Sequence, residues 1–222
     1  MSPFRRFVIL GTAGLSVLFA EEFAAADEAK TDEKPATVNV GDKAPVFAGR
    51  DDAGKKWKSG EIVGKKFLVV YFYPADFTTG CTRQAEVWRD NMNAVTAKGV
   101  QVVGVSGDSV TNHALFKTAW KLNFTLLADP EGLIAKKFGV PIRRGGKVRP
   151  HGSDRKPLTD GAGKPLVLER EATFARWTFI VGKDGKIVYK NTRVVPAKDS
   201  QQVLEFIEKL NKPATKPSRP QK

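Results

Sequence analysis

Apolar residues in the middle of the chain alternate between short continuous runs and helical repeats. Residues 66–73, KFLVVYFY, form an unbroken apolar and aromatic run, which is typical of a strand buried on both faces of a sheet. Residues 80–98 then repeat apolar side chains at three- and four-residue steps, which predicts a helix. A buried strand followed directly by an amphipathic helix favours a sheet covered by helices.

The same alternation continues along the chain. A short hairpin precedes the buried strand, and a second hairpin, turning at Lys183-Asp184-Gly185, comes near the end. Strand–helix repeats lie between them, and the order predicts an α/β fold with a mixed central sheet flanked by helices. The predicted strands are 45–50, 55–58, 66–73, 101–106, 124–128, 176–181 and 186–189, and the predicted helices are 80–98, 113–121, 129–139 and 199–210.

The N-terminus has the pattern of an export signal. Arg5 and Arg6 precede an apolar stretch over 7–20, and the small residues 24–26 provide a cleavage site. We therefore predict a signal peptide over 1–26 and an exported protein in the periplasm or another extracytoplasmic space. If the signal were not cleaved, it would tether the protein to the membrane.

Composition divides the rest of the chain. A charged linker over 27–37 precedes one domain over 38–211, and a low-complexity tail follows over 212–222. Inside the domain, residues 142–165 are rich in Gly, Pro and Arg without any period, which predicts a long basic loop insertion. The formal net charge is +13, and this insertion and the tail carry most of the excess. Such segments favour at most weak contact with a polyanion.

Cys81 is the single cysteine in the chain. An internal disulfide is therefore impossible, and Cys81 is either an inert buried residue or a reactive thiol. The two histidines, His113 and His151, are far apart in the sequence and lack neighbouring ligand patterns, so we predict no metal site and no cofactor.

The position of Cys81 favours the reactive interpretation. It follows the buried strand and lies in the first turn of the predicted helix, where free backbone N–H groups and the helix dipole favour an anion such as a thiolate. Gly80 permits close approach to the backbone, and Thr78 places a hydroxyl one turn before the sulfur.

The spacing Pro74-x-x-x-Thr78-x-x-Cys81 resembles the active-site motif of the peroxiredoxins. Further segments, YFYPADFTTGCTRQAEVWRDN, VVGVSGDSV, LLADPEGLIAKKFGV and RWTFIVGKDGKIV, resemble the peroxiredoxin Q group, also called bacterioferritin comigratory protein. The resemblance covers roughly residues 38–210 apart from 142–165. It implies a thioredoxin-like fold and the reduction of hydrogen peroxide or organic hydroperoxides.

The resemblance also implies roles for individual residues. Cys81 would be the peroxidatic cysteine, and Thr78 would hydrogen-bond the peroxide and the sulfur. Pro74 would shield the thiolate and shape the loop. Arg176 would sit beside the thiolate and hold the peroxide, a task that suits a planar, permanently charged guanidinium. The predicted substrate-loop residues are Gly80, Gln84 and Phe77, which lies inside the loop before Cys81.

The chain departs from the group at Glu86, where many members carry a resolving cysteine, and at Gln84, where many carry glutamate. Without a second thiol, the sulfenic acid of Cys81 needs an external reductant. We predict a one-cysteine enzyme, monomeric or weakly associated, that is reduced by a small thiol or by a thioredoxin-like or glutaredoxin-like partner.

Two other functions compete with this one. A dithiol–disulfide oxidoreductase needs a Cys-x-x-Cys pair, and Cys81-Thr82-Arg83-Gln84 has no second cysteine. A thioredoxin-like scaffold with weak or lost peroxidase activity would instead bind an anionic surface through 142–165 and 212–222. Specific nucleic-acid binding is not predicted, since no base-reading motif or interleaved aromatic residues accompany the basic segments.

Overall fold

Nine strands and four α-helices form the regular structure of residues 37–211, the part of the chain that this computed structural model describes. The predicted signal peptide, most of the linker and the tail lie outside these residues. The strands are β1 (Ala48–Asp51), β2 (Lys56–Lys58), β3 (Phe67–Phe72), β4 (Val100–Ser106), β5 (Thr125–Ala128), β6 (Ile142–Val148), β7 (Leu168–Phe174), β8 (Trp177–Val181) and β9 (Ile187–Asn191). The helices are α1 (Thr79–Ala97), α2 (Val110–Trp120), α3 (Leu133–Lys137) and α4 (Asp199–Asn211).

Seven strands form the central sheet, in the order β2-β1-β5-β4-β3-β8-β9. The strands β3, β4 and β5 are parallel and are joined by helices, whereas β8 runs antiparallel to both β3 and β9. The predicted mixed sheet is thus confirmed, with the N-terminal hairpin at one edge and the C-terminal hairpin at the other.

The central position of β3 explains its apolar sequence. All six of its residues are buried, and alternate side chains enter two separate hydrophobic clusters on the two faces of the sheet. One cluster includes Tyr71, which stacks on Trp88 of α1 with ring centroids 5.8 Å apart. The other includes Phe72, which packs against Phe138 beyond α3. Burial on both faces fixes the end of β3 firmly.

The prediction of an irregular loop over 142–165 is wrong for the first part of this segment. Ile142–Val148 forms β6, which pairs antiparallel with β7 in a separate two-stranded ribbon. The sequence hides this ribbon because β6 is largely exposed and polar on both faces, so it lacks the apolar alternation of a half-buried strand. Backbone pairing with β7, rather than burial, supports it.

The remainder of the insertion is also folded. Its backbone closes two small turns, with bridges between His151 and Pro157 and between Thr159 and Pro165. The indole nitrogen of Trp120 donates to the carbonyl of His151 at 3.2 Å, which attaches the insertion to the end of α2. Within residues 37–211, no helix combines the length and apolarity that a membrane crossing requires.

The ribbon depends on the missing side chain of Gly145. A Cβ atom there would lie 1.9 Å from the carbonyl oxygen of Arg170, whereas one at Gly146 would meet only the flexible Arg170 guanidinium at 3.3 Å. We expect Gly145→Ala to lower the free energy of unfolding by about 1–3 kcal/mol, as overpacking commonly does. Gly146→Ala is the matched control. Urea unfolding should show that it lowers the free energy of unfolding clearly less than Gly145→Ala does. Equal effects would show that the ribbon backbone is not closely packed.

Candidate active site

The pairing of β3 with β8 brings the predicted site residues together. These strands are antiparallel, and Phe72 at the end of β3 lies opposite Trp177 at the start of β8. The chain leaves β3 into the loop that leads to Cys81, and it enters β8 directly after Arg176. Two residues 95 positions apart in the sequence therefore face each other at the C-terminal end of β3.

The first turn of α1 presents free backbone donors near this end of β3. Thr78 is the N-cap, and Cys81 is the third residue of the helix. The first backbone bond of the helix runs from the amide of Thr82 to the carbonyl of Thr78 at 2.8 Å, so the amides of the three residues before Thr82 have no acceptor within the helix. Unpaired amides and the positive end of the dipole favour negative charge near the sulfur.

The guanidinium of Arg176 completes the electrostatic environment of the thiol. Its Nη2 atom lies 3.2 Å from Sγ of Cys81, whose side chain is only 2% exposed. Its Nη1 atom donates to Oε1 of Gln84, which is buried one turn further along α1. A permanent positive charge beside a buried sulfur stabilises the thiolate and leaves further N–H donors for an oxygen-bearing substrate.

The other predicted residues surround the same turn. Pro74 and Thr78 are half-buried in the loop before α1, and the Thr78 hydroxyl donates to the carbonyl of Ala75 at 3.1 Å. A Cβ atom at Gly80 would contact Nη2 of Arg176 at 3.4 Å, so a larger side chain would compete with the guanidinium for space. Five of the predicted residues, Cys81, Arg176, Gln84, Thr78 and Gly80, thus lie on or against the first turns of α1.

Phe77 is placed differently. Its side chain is buried in the core and packs against Phe116 of α2, with ring centroids 4.9 Å apart. Its φ of +59° lies in the left-handed region, which costs a residue other than glycine on the order of 1–3 kcal/mol. In this structure Phe77 anchors the loop, and the prediction that it lines the substrate approach gains no support.

Buried polar groups that the sequence pattern does not reveal bind this strained loop. The Asp76 carboxylate accepts from the Tyr73 hydroxyl at 2.7 Å and lies 2.8 Å from Nδ1 of His113 on α2. The Asp76 amide donates to Asp108 at 2.9 Å. All four residues are buried. The loop is therefore bound through both the backbone and the side chain of Asp76, directly before Phe77.

Burial and pairing shift the pKa values of both members of the Asp76–His113 pair. Burial raises the pKa of Asp76 above its ordinary value of 3.8, and the charge of His113 opposes part of that shift. Burial by itself lowers the pKa of His113. The charge and the hydrogen bond of Asp76 outweigh burial and raise this pKa above 6.5. The geometry thus favours a proton held within the pair. His113, predicted not to be a metal ligand, is part of this pair.

A second missed carboxylate, Asp199, lies behind Gln84. It is the first residue of α4 and is completely buried. Its Oδ2 atom accepts from Nε2 of Gln84 at 2.6 Å, from the Thr178 hydroxyl at 3.0 Å and from the Trp88 indole at 3.1 Å. One oxygen thereby connects α4, α1 and β8 behind the contact between Gln84 and Arg176.

The opposite side of α1 faces a cavity of about 700 Å³. Thr82 and Glu86 line it from the helix, and His151 and Arg155 line it from the insertion. At about 100° per residue, an α-helix places Glu86 and Cys81 on different faces. Position 86 is therefore separated from the sulfur by the helix itself.

Comparison with known proteins supports this description. Residues 40–190 match the model of the AhpC/TSA family. The chloroplastic peroxiredoxin Q of Suaeda salsa is 33% identical over 79% of this chain and 70% of its own length. The chloroplastic peroxiredoxin Q of Populus jackii is 44% identical over 48% of this chain and 49% of its own length.

Solved structures show the same fold. A cysteine-to-serine mutant of Xylella fastidiosa PrxQ superimposes with a TM-score of 0.64 at 20% identity, over 80% of this chain and 99% of that one. Peroxidoxin BcpB from Mycobacterium tuberculosis gives a TM-score of 0.62 at 23% identity, over 79% and 99% of the two chains. The predicted thioredoxin-like fold is confirmed by these neighbours.

The Asp76–His113 pair predicts a specific pH dependence. Both groups have raised pKa values in the folded state, so the folded protein binds their protons more tightly than the unfolded chain. This stabilisation is complete below the ordinary values, 3.8 and 6.5, and is lost as the pH rises through the raised ones. Relative to the neutral variant Asp76→Asn/His113→Gln, the wild type should lose unfolding free energy over that interval.

Urea unfolding at several pH values between about 4 and 9 tests this sign. The exposed Asp154→Asn variant is the control, and it should follow the wild type throughout. Parallel curves for the wild type and the double variant would contradict the assigned shifts.

Proposed function

Because the chain belongs to the AhpC/TSA family and is a thiol-dependent peroxidase of the peroxiredoxin Q type, we propose that Cys81 is its peroxidatic residue. The observation that carries this proposal is the contact of 3.2 Å between the Arg176 guanidinium and Sγ of Cys81 at the start of α1. The scaffold hypothesis, in which peroxidase activity is lost, is not favoured.

The proposed reaction begins with the Cys81 thiolate. Its sulfur attacks one oxygen of the hydroperoxide, the O–O bond breaks, and the second oxygen leaves as water or an alcohol after taking a proton. Negative charge develops on the leaving oxygen, so donors that are already in place accelerate the step. The Arg176 guanidinium and the free amides of α1 would supply them. The Thr78 hydroxyl, which donates its hydrogen to the carbonyl of Ala75, would accept a hydrogen bond from the peroxide.

Pro74 and Gly80 would shape the space around the sulfur. Pro74 is half-buried at the start of the loop, where it would shield the thiolate from bulk water. Gly80 leaves room for the guanidinium beside the first turn of α1. Gln84 would hold that guanidinium through Nη1.

The second half of the cycle requires thiols from outside the chain. A first thiol attacks the Cys81 sulfenic acid and releases water, which gives a mixed disulfide. A second thiol then displaces Cys81 and leaves as an external disulfide. Since Cys81 is 2% exposed, the first turn of α1 must open before a thiol can reach it. A small thiol or a thioredoxin-like or glutaredoxin-like partner would serve.

We also propose that the protein is exported, on the strength of the N-terminal pattern. Arg5, Arg6 and the apolar stretch over 7–20 have the order of a signal peptide. A monomeric state and weak polyanion contact through the basic segments remain predictions. A steep salt dependence of binding to an anionic surface would support the latter.

The role of Arg176 is tested by trapping the sulfenic acid. We expect hydrogen peroxide to oxidise Cys81 rapidly in the wild type, and Arg176→Ala to slow this step by about 100-fold through loss of a preorganised cation. Intact mass with a sulfenate-reactive dione, sampled by rapid quench, measures the rate. The control is Arg83→Ala, which removes an exposed arginine two residues after Cys81 on α1. An unchanged rate in Arg176→Ala would refute the proposed role.

Opening of the first turn of α1 is tested by placing a second thiol at position 86. Positions 81 and 86 are about 7.5 Å apart along the helix axis alone, so their Cα atoms are beyond disulfide geometry unless the turn unwinds. We expect Glu86→Cys to form a disulfide with Cys81 after one equivalent of peroxide, seen as the loss of two hydrogens. Asp90→Cys, a turn further away, should not. Dione trapping without a disulfide in Glu86→Cys would show that this turn stays closed.

A further inference from the structure

Asp199 is a buried carboxylate without a cation in direct contact among the described residues. Three neutral donors share its Oδ2 atom, while Oδ1 is also buried and has no hydrogen-bond partner in residues 37–211. Burial raises the pKa of Asp199, and the hydrogen bonds from Gln84, Thr178 and Trp88 oppose that shift. Burying a carboxylate in this way costs stability, so its presence beside the site points to a functional role.

The hydrogen-bond chemistry of Gln84 links this carboxylate to the thiol. Asp199 can only accept when it is ionised, so it holds the NH₂ group of the amide at 2.6 Å. Oε1 of Gln84 must then point the other way, towards Nη1 of Arg176. Because a guanidinium offers donors alone, the opposite orientation of the amide would place NH₂ against Nη1 and break the contact.

A continuous chain of contacts therefore runs from α4 to the sulfur. It passes from Asp199 to the buried amide of Gln84, then to Nη1 of Arg176, and from Nη2 across 3.2 Å to Sγ of Cys81. We propose that Asp199 is a positioning residue: its carboxylate fixes the Gln84 amide and thereby holds the guanidinium against Cys81. This inference rests on the proposed role of Arg176.

The positioning has an electrostatic component as well as a geometric one. The negative charge of Asp199 attracts Arg176, and this attraction opposes part of the rise that burial causes in the pKa of Asp199. One negative charge behind the guanidinium balances its positive charge without touching the thiolate. Adding a second charge would force two carboxylates together, and removing the first would free the amide to turn. The site thus requires a single carboxylate, at position 84 or at position 199.

A double-mutant cycle tests this requirement. Asp199→Asn removes the charge and the constraint on the amide. Gln84→Glu places a second carboxylate against the first. The double variant Gln84→Glu/Asp199→Asn moves the carboxylate to position 84, where it pairs directly with Arg176 and accepts from the new amide at position 199. We expect each single variant to slow Cys81 oxidation by peroxide about tenfold, and the double variant to recover to within about threefold of the wild type.

The controls separate this inference from its premise. Asp90→Asn, at an exposed carboxylate on α1, should oxidise at the wild-type rate. Urea unfolding of every variant shows whether rate differences follow stability. If Arg176→Ala is slow but both single variants oxidise like the wild type, the role of Asp199 is refuted while the proposed function stands. If Arg176→Ala is itself unaffected, the premise fails.

A structural role alone predicts a different pattern. Asp199 would then serve only to attach α4 to α1 and β8, and the oxidation rate would track the free energy of unfolding across the cycle. Slow single variants without recovery in the double variant, together with matching losses of stability, would overturn the inference. Recovery of the rate in the double variant, whatever its stability, would support it.

Discussion

The antiparallel pairing of β3 with β8 is the constraint on which the site depends. The positive charge beside the Cys81 thiol comes from Arg176, a residue 95 positions away in the sequence. Pairing places the end of one strand beside the start of the other, so the thiol and the guanidinium are brought close together. Burial of β3 on both faces keeps this junction rigid, since neither strand can shift without exposing the core.

Two buried carboxylates support the groups at this junction. Asp76 holds the loop before α1 against α2, and Asp199 holds the amide behind the guanidinium. Neither touches the sulfur. Each carboxylate would destabilise the fold if its hydrogen-bond donors were lost. These buried polar groups therefore fix the positions of the elements that carry Cys81 and Arg176. This arrangement separates the elements that carry the reacting groups from those that keep them in place.

The sequence predicted the central sheet well because burial leaves a clear apolar signal, as in residues 66–73. It failed for β6, whose pairing is made by the backbone of a polar segment and leaves no such signal. The site divides in the same way. Cys81, Thr78 and Arg176 were predicted through the resemblance to the peroxiredoxins, whereas Asp76, His113 and Asp199 become informative only once the fold buries them. An aspartate before a helix is ordinary in a sequence, and only its burial makes it exceptional.

The burial of Cys81 has a consequence for chemical selectivity. A thiol that is 2% exposed reacts slowly with molecules too large to reach the buried sulfur, whatever its intrinsic nucleophilicity. The peroxide of the proposed reaction is small, whereas a bulky alkylating reagent would need the first turn of α1 to unwind. The fold therefore acts as a size filter, and the labelling rate of the protein by large electrophiles would report how often that filter opens.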